Sequence, residues 1–173
     1  VLFRSLAEES GYKRLVAACL NEIGGFYFDY GDFGEAEKKA LSALQMRIDL
    51  RDSSAIVQSN NFLGEIYMKQ GKYTEALQLF EFSMFILSVM KENPIEWAKP
   101  YCYQAIGSVL ELKGDSASVE SNKPQSIYYY DHAISNYLNS LEGWKKIDRN
   151  DGVAEIYDSL GHIYTKLGEL NQA

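Results

Sequence analysis

The strongest constraint on this chain is that it repeats itself. The segments IGGFYFDYGDFGEA from Ile23, LGEIYMKQGKYTEA from Leu63 and LGHIYTKLGELNQA from Leu160 align without gaps. Each reads apolar, Gly, two variable residues, Tyr, three variable residues, Gly, one variable residue, apolar, two variable residues, Ala. The first two copies lie 40 residues apart, so Gly24, Tyr27, Gly31 and Ala36 become Gly64, Tyr67, Gly71 and Ala76. A degenerate copy begins IGSVLELKG at Ile106, with Leu110 at the Tyr place, and resumes at Tyr130–Ala133 after an insertion. A period of this length marks stacked supersecondary units, each unable to bury its apolar face alone.

The residues define the unit. Leu20, Ile23 and Tyr27 follow helical spacing, and Gly31 then stops the helix. Ala36, Ala40, Ala43, Leu44 and Met46 form a second apolar face. Two helices joined by a short turn make an αα-hairpin. The Gly of each Leu-Gly pair and the Ala opening each second helix let the helices approach, while large Tyr, Phe and Leu fill the wider gaps.

The pattern resembles the tetratricopeptide repeat family. Ile23-Gly24, Tyr27, Gly31, Phe33 and Ala36 carry it in the first copy, and Leu63-Gly64, Tyr67, Gly71, Tyr73, Ala76 and Phe80 in the second. Ile106-Gly107, Gly114, Tyr130, Ala133 and Tyr137 carry it in the third, and Leu160-Gly161, Tyr164, Gly168, Leu170 and Ala173 in the last. The resemblance implies an all-α fold, a right-handed superhelical solenoid of antiparallel helix hairpins. The 40-residue spacing exceeds the family's common period of about 34 and is similar to kinesin light chain-like and bacterial sensor or regulator arrays. The expected layout is one array over 1–173. Residues 1–10 are the tail of a preceding repeat, 12–52 repeat one, 53–92 repeat two and 95–149 repeat three. Residues 151–173 form a truncated repeat four, its second helix only beginning at Ala173. Two departures stand out. NPIEWAKP (93–100) lengthens one link, with Pro94 or Pro100 in a first helical turn. The Ser-rich DSASVESNKPQS (115–126) interrupts the third hairpin, and Pro124 marks a helix start.

Composition excludes several classes. The 24 acidic residues against 17 basic ones give a net charge of −7, with no basic footprint for nucleic acid. The longest apolar stretch, Leu79 to Met90, is broken by Glu81, Ser83 and Ser88, so no membrane insertion is expected. No basic segment ahead of an apolar core marks a secretory leader, and cytoplasmic placement is favoured. Enzyme motifs with a phosphate loop, a nucleophile elbow or a zinc helix are absent, so neither catalysis, cofactor nor metal is expected. DRNDG (148–152) has Gly152 where a calcium loop needs a carboxylate, and reads as a polar turn. Cys19 and Cys102 precede Ile23 and Ile106 by the same interval, a place for buried small residues. Two repeats separate them by about 20 Å, beyond disulfide reach.

A protein or peptide partner is expected, and the resemblance implies where. First helices of such arrays line a concave groove, and the matching places here are Asn21, Phe28, Gln58, Asn61, Glu65, Lys69, Tyr101, Gln104, Asp158, His162 and Lys166. Asn21, Asn61, Gln104 and Asp158 recur at one place, a polar ladder able to bind peptide backbone, or else simply solvated groups and caps. The apolar run 77–90 exceeds what one buried stripe needs. Phe82, Phe85 and Val89 fall on the other side and invite cover by the 115–126 insertion or by another chain, including a homodimer. The functional expectation is a protein-protein interaction scaffold within a larger protein. The alternatives are a sensory or regulatory segment of a bacterial histidine kinase, cyclase or peptide-responsive regulator, and an oligomerisation module.

Overall fold

The computed structural model describes residues 2–90 and 95–172, excluding the side chains of 2–8, 169, 171 and 172. The described residues form seven helices joined by short turns: α1 (Leu2–Asp29), α2 (Phe33–Asp49), α3 (Ser53–Lys69), α4 (Tyr73–Val89), α5 (Ala98–Val119), α6 (Lys123–Lys146) and α7 (Asn150–Gln172). They form two compact units, residues 1–93 and 94–173. In the first unit α1 packs on α2, α2 on α3 and α3 on α4. In the second, α6 packs on both α5 and α7, and α5 also touches α7.

One turn design is used five times. Gly31 at φ 81° and Gly71 at φ 74° adopt the left-handed conformation that closes a helix, and Arg51, Ser121 and Asp148 adopt it without being glycine. Each turn then makes the same pair of backbone bonds. Asp32 N–H, for example, reaches back to Tyr27 O at 2.9 Å, and Asn122 N–H to Ala117 O at 2.9 Å. In three of the five turns the following residue, Asp32, Asp52 or Asn122, caps the next helix with its side chain. Asp32 accepts from Glu35 N–H at 3.0 Å and Asp52 from Ala55 N–H at 3.1 Å. Two 17-residue helices and two such turns account for the 40-residue spacing.

The Leu-Gly glycines let helices close. A Cβ on Gly64 would stand 2.5 Å from the ring of Phe80, and one on Gly107 would stand 2.8 Å from the ring of Tyr137. Both rings are essentially fully buried. The core of the first unit includes Ala36, Ala40, Leu63 and Ile66. That of the second includes Tyr130, Tyr137, Leu141, Trp144, Ile156, Leu160 and Ile163.

Three places depart from the simple repeat pattern. Residues 2–10 are not separated from the first repeat: α1 runs unbroken through them, because Ser10-Gly11 carries no turn conformation. The Ser-rich insertion is not a loop. Residues 115–119 extend α5 and the turn at 120–122 repeats the common design, so α5 and α6 simply gain length and Gly114 sits inside a helix. Gly114 is still needed there, since a Cβ would stand 2.5 Å from the Tyr130 ring. Likewise α7 continues through Gly168, where the repeat pattern expects a turn. A helical glycine costs only about 1 kcal/mol, and no further helix among the described residues packs on α7 to bend the chain. Pro100 lies in the first turn of α5 and Pro124 in that of α6, as expected; Pro94 and Ala173 lie outside the described residues.

Candidate functional site

The expected groove residues separate into exposed side chains and side chains already used by the fold. In the first unit Gln58 and Lys69 on α3 are exposed, and Asn21 on α1 and Glu65 on α3 are half-buried. Phe28 is a packing residue, its ring 5.5 Å from Phe33 and 5.9 Å from Phe62 in edge contact. Asn61 is buried at 4% exposure. The Asn21 Oδ1 is itself shut off from solvent without a hydrogen-bond donor.

In the second unit, Tyr101 is half-buried with its ring 6.0 Å from Trp97. Asp158 and His162 are exposed on α7 and 3.9 Å apart. Gln104 is not free for a ligand. Its amide donates to Glu155 at 2.8 Å and its carbonyl accepts from Trp144 Nε1 at 3.0 Å, tying α5 to both α6 and α7. Of the four residues at the ladder place, Asn61 is thus buried and Gln104 braces three helices, while Asp158 is exposed.

Lys166 is likewise engaged. Its ammonium lies 2.8 Å from Glu111 and 2.9 Å from Asp115, bridging α7 to α5. Tyr137 donates to Glu111 at 2.9 Å and Tyr130 to Asp115 at 2.6 Å. Burial pulls the Lys166 pKa down, but the two carboxylates outweigh it and the net shift is upward. Burial, reinforced by Asp115, pushes the Tyr130 phenol up to about 12, and burial with Glu111 pushes Tyr137 higher still. The folded state thus holds both phenolic protons more tightly than the unfolded chain, whose tyrosines titrate near 10. This contribution to stability is complete below about pH 10 and is lost as pH rises through about 12. Alkaline titration followed at the tyrosinate absorbance should show two late phenols that ionise only with unfolding, and Tyr130→Phe should remove one of them.

Sequence reasoning missed the buried Arg47. Its guanidinium, 7% exposed, donates to Ala55 O at 3.0 Å and Ser59 Oγ at 2.6 Å, joining α2 to α3. The only signal was an Arg on the small-residue face of α2. One of the two cysteines also differs from expectation. Cys102 is buried as expected, but Cys19 is exposed, because its place on α1 faces solvent while the matching Ser59 of α3 is covered by α2. A maleimide should label Cys19 in the native protein and reach Cys102 only after denaturation.

Phe82, Phe85 and Val89 stand on the outer face of α4 at 51%, 60% and 58% exposure, with the two rings stacked 6.3 Å apart. The matching places hold Ser42, Gln45 and Asp49 on α2 and Asn139, Glu142 and Lys146 on α6, also exposed. Only α4 is apolar there. No helix among the described residues is long and apolar enough to cross a membrane.

The tetratricopeptide repeat family model matches residues 61–81, which cover the end of α3, its turn and the start of α4. A second tetratricopeptide repeat model matches 154–173, on α7. Two stretches of the chain thus match tetratricopeptide repeat models, within an all-α fold of successive antiparallel helices. No curated protein matches it. Among solved structures it resembles the crystal structure of BtubC (BKLC) from P. vanneervenii, with a TM-score of 0.60 and 20% identity over 94% of this chain. The likeness is one of fold, and the chain spans about 60% of that protein's length. Tetratricopeptide repeats generally mediate protein–protein interaction.

Proposed function

We propose that the chain is an interaction scaffold that binds an extended peptide segment on the exposed side of the first helices within a unit. The observation that carries this reading is a set of polar side chains on the first helices that stay exposed. Gln58 and Lys69 are exposed on α3, and Asp158 and His162 on α7, where packing has no use for them. Glu65 lies half-buried on the same helix as Gln58 and Lys69. Mixed acidic, basic and amide groups suit backbone and side-chain recognition of a polar peptide. They do not form the all-basic cradle that a terminal carboxylate or phosphate would need.

Selection from a random peptide library against the intact chain tests this. Selected peptides should lose at least ~10-fold in affinity on Gln58→Ala/Lys69→Ala, with the helical signal unchanged. Binding indifferent to that pair refutes the reading for the first unit.

A second reading, self-association through α4, is favoured by the apolar triad found on that helix alone. Sedimentation across concentrations should then show a dimer that Phe85→Glu converts to monomer, and a monomer at every concentration would exclude it.

A further inference from the structure

The α5–α6 hairpin builds a cation cradle, and a lysine of the chain itself fills it. Glu111 and Asp115 are one helical turn apart on α5 and so share a face. Two buried tyrosines of α6 orient them. Tyr137 donates to Glu111 Oε2 at 2.9 Å, and Tyr130 donates to Asp115 Oδ1 at 2.6 Å. Neither ring can turn away, because each lies against an α5 glycine, Tyr137 on Gly107 and Tyr130 on Gly114. The remaining oxygens, Glu111 Oε1 and Asp115 Oδ2, accept from the Lys166 ammonium at 2.8 Å and 3.0 Å. That ammonium also lies 5.8 Å from the centre of the Tyr130 ring, within cation–π range.

The two carboxylates and two phenols all belong to α5 and α6, and α7 contributes the ammonium alone. The repeat packs without this bond. Lys69 holds the place of Lys166 on α3, and there the preceding hairpin offers Phe28 and Ala40 where Glu111 and Tyr137 stand. Lys69 is exposed, yet α3 packs on α2. The cradle is thus an addition to the repeat rather than a requirement of it.

Its chemistry is specific. Ionised hydrogen bonds of this kind are about twice as strong as neutral ones, and the phenols fix the carboxylates before any cation arrives. Two carboxylates against one ammonium leave the cradle negative. Glu111 is 14% exposed and Asp115 40%, so the site opens to solvent on the Asp115 side.

We propose that the α5–α6 hairpin carries a preformed binding site for a primary ammonium group, the head of a lysine side chain, and that Lys166 occupies it in cis. A lysine of a partner segment enters by displacing Lys166, so the internal contact is autoinhibitory. Tethering gives Lys166 an effective concentration that a free small cation does not match. The proposal is independent of peptide binding through Gln58, Lys69, Asp158 and His162.

Lys166→Ala empties the cradle and keeps its four members. The probe is methylammonium chloride, with sodium chloride and tetramethylammonium chloride at equal concentration as controls. Tetramethylammonium carries the charge but has no N–H to donate. Thermal unfolding of the intact chain is followed by helicity. At ~0.2 M methylammonium the Lys166→Ala midpoint should rise at least ~2 °C beyond its value in either control. The natural chain should show less than ~0.5 °C of that difference. Nα-acetyl-lysine amide should act on Lys166→Ala as methylammonium does. Adding Tyr130→Phe should at least halve the rise, and Lys166→Met should show none, because its side chain fills the space. If Lys166→Ala is unfolded at ambient temperature, methylammonium and not the controls should restore its helicity. Four results would overturn the proposal: Lys166→Ala responding alike to all three salts, the natural chain responding to methylammonium as strongly as Lys166→Ala, a response that Tyr130→Phe and Lys166→Met leave intact, or an unfolded Lys166→Ala that methylammonium does not restore.

Discussion

Trp144→Ala should lower the stability of the second unit by about 3–5 kcal/mol, the range for deleting a buried aromatic ring. Trp144 is 6% exposed and belongs to a core cluster with residues of both α6 and α7. Its ring lies where a Cβ on Gly152 would stand 2.7 Å away, so α7 begins in contact with it. Its indole N–H donates to Gln104 on α5. One side chain thus touches three helices, and truncation opens a cavity while leaving the Gln104 carbonyl without its donor. Urea denaturation of the intact chain, followed by Tyr absorbance and helicity, reads the loss. Trp144→Phe separates the two contributions, because it keeps most of the volume and drops only the hydrogen bond. It should cost about 1–2 kcal/mol more than an exposed Trp97→Phe substitution.

A single methyl should produce the next largest effect, and its sign should depend on which repeat carries it. Gly64→Ala places a Cβ 2.5 Å from the ring of Phe80, which is fully buried and cannot retreat. Overpacking of this kind costs about 1–3 kcal/mol. Gly161 occupies the same repeat place but nothing lies within 4 Å of its Cβ position. Gly161→Ala should therefore stabilise α7 by about 0.5–1 kcal/mol through helix propensity alone. Phe80→Leu combined with Gly64→Ala should be less destabilising than the two single changes added, since the clash is shared. If Gly64→Ala proved neutral, the close approach of α3 and α4 would be wrong.

The hairpins were legible in the sequence because the residues that make them are local. Gly31 and Gly71 close turns, Ala36 and Ala76 admit a neighbouring helix, and the 40-residue offset carries one copy onto the next. The turn at Ser121 was not legible, since serine carries no left-handed signal and the decision rests on the packing of α6 against α5. The continuity of α7 through Gly168 was hidden for the opposite reason: the residue signals a turn, but no further helix among the described residues packs on α7 to enforce one.

The candidate surfaces were legible only in part. Repeat spacing found the exposed Gln58, Lys69, Asp158 and His162. It could not see that Gln104 is claimed by Trp144 and Glu155, or Lys166 by Glu111 and Asp115, because those bonds cross between helices far apart in sequence. It also placed Ile23 and Tyr164 in the packed interior. They stand 41% and 57% exposed, because burial of a repeat position needs the neighbour that covers it as well as the residue.

Hydrogen–deuterium exchange on the intact chain, with and without a peptide selected by binding, tests the central claim most directly. The side on which a peptide slows exchange marks the side that binds. A scaffold using its first helices should gain protection in α3, around Gln58 to Lys69, or in α7, around Asp158 to His162, with α2 and the outer face of α4 unchanged. Protection confined to α2, or to the α4 segment bearing Phe82 and Phe85, would contradict the account.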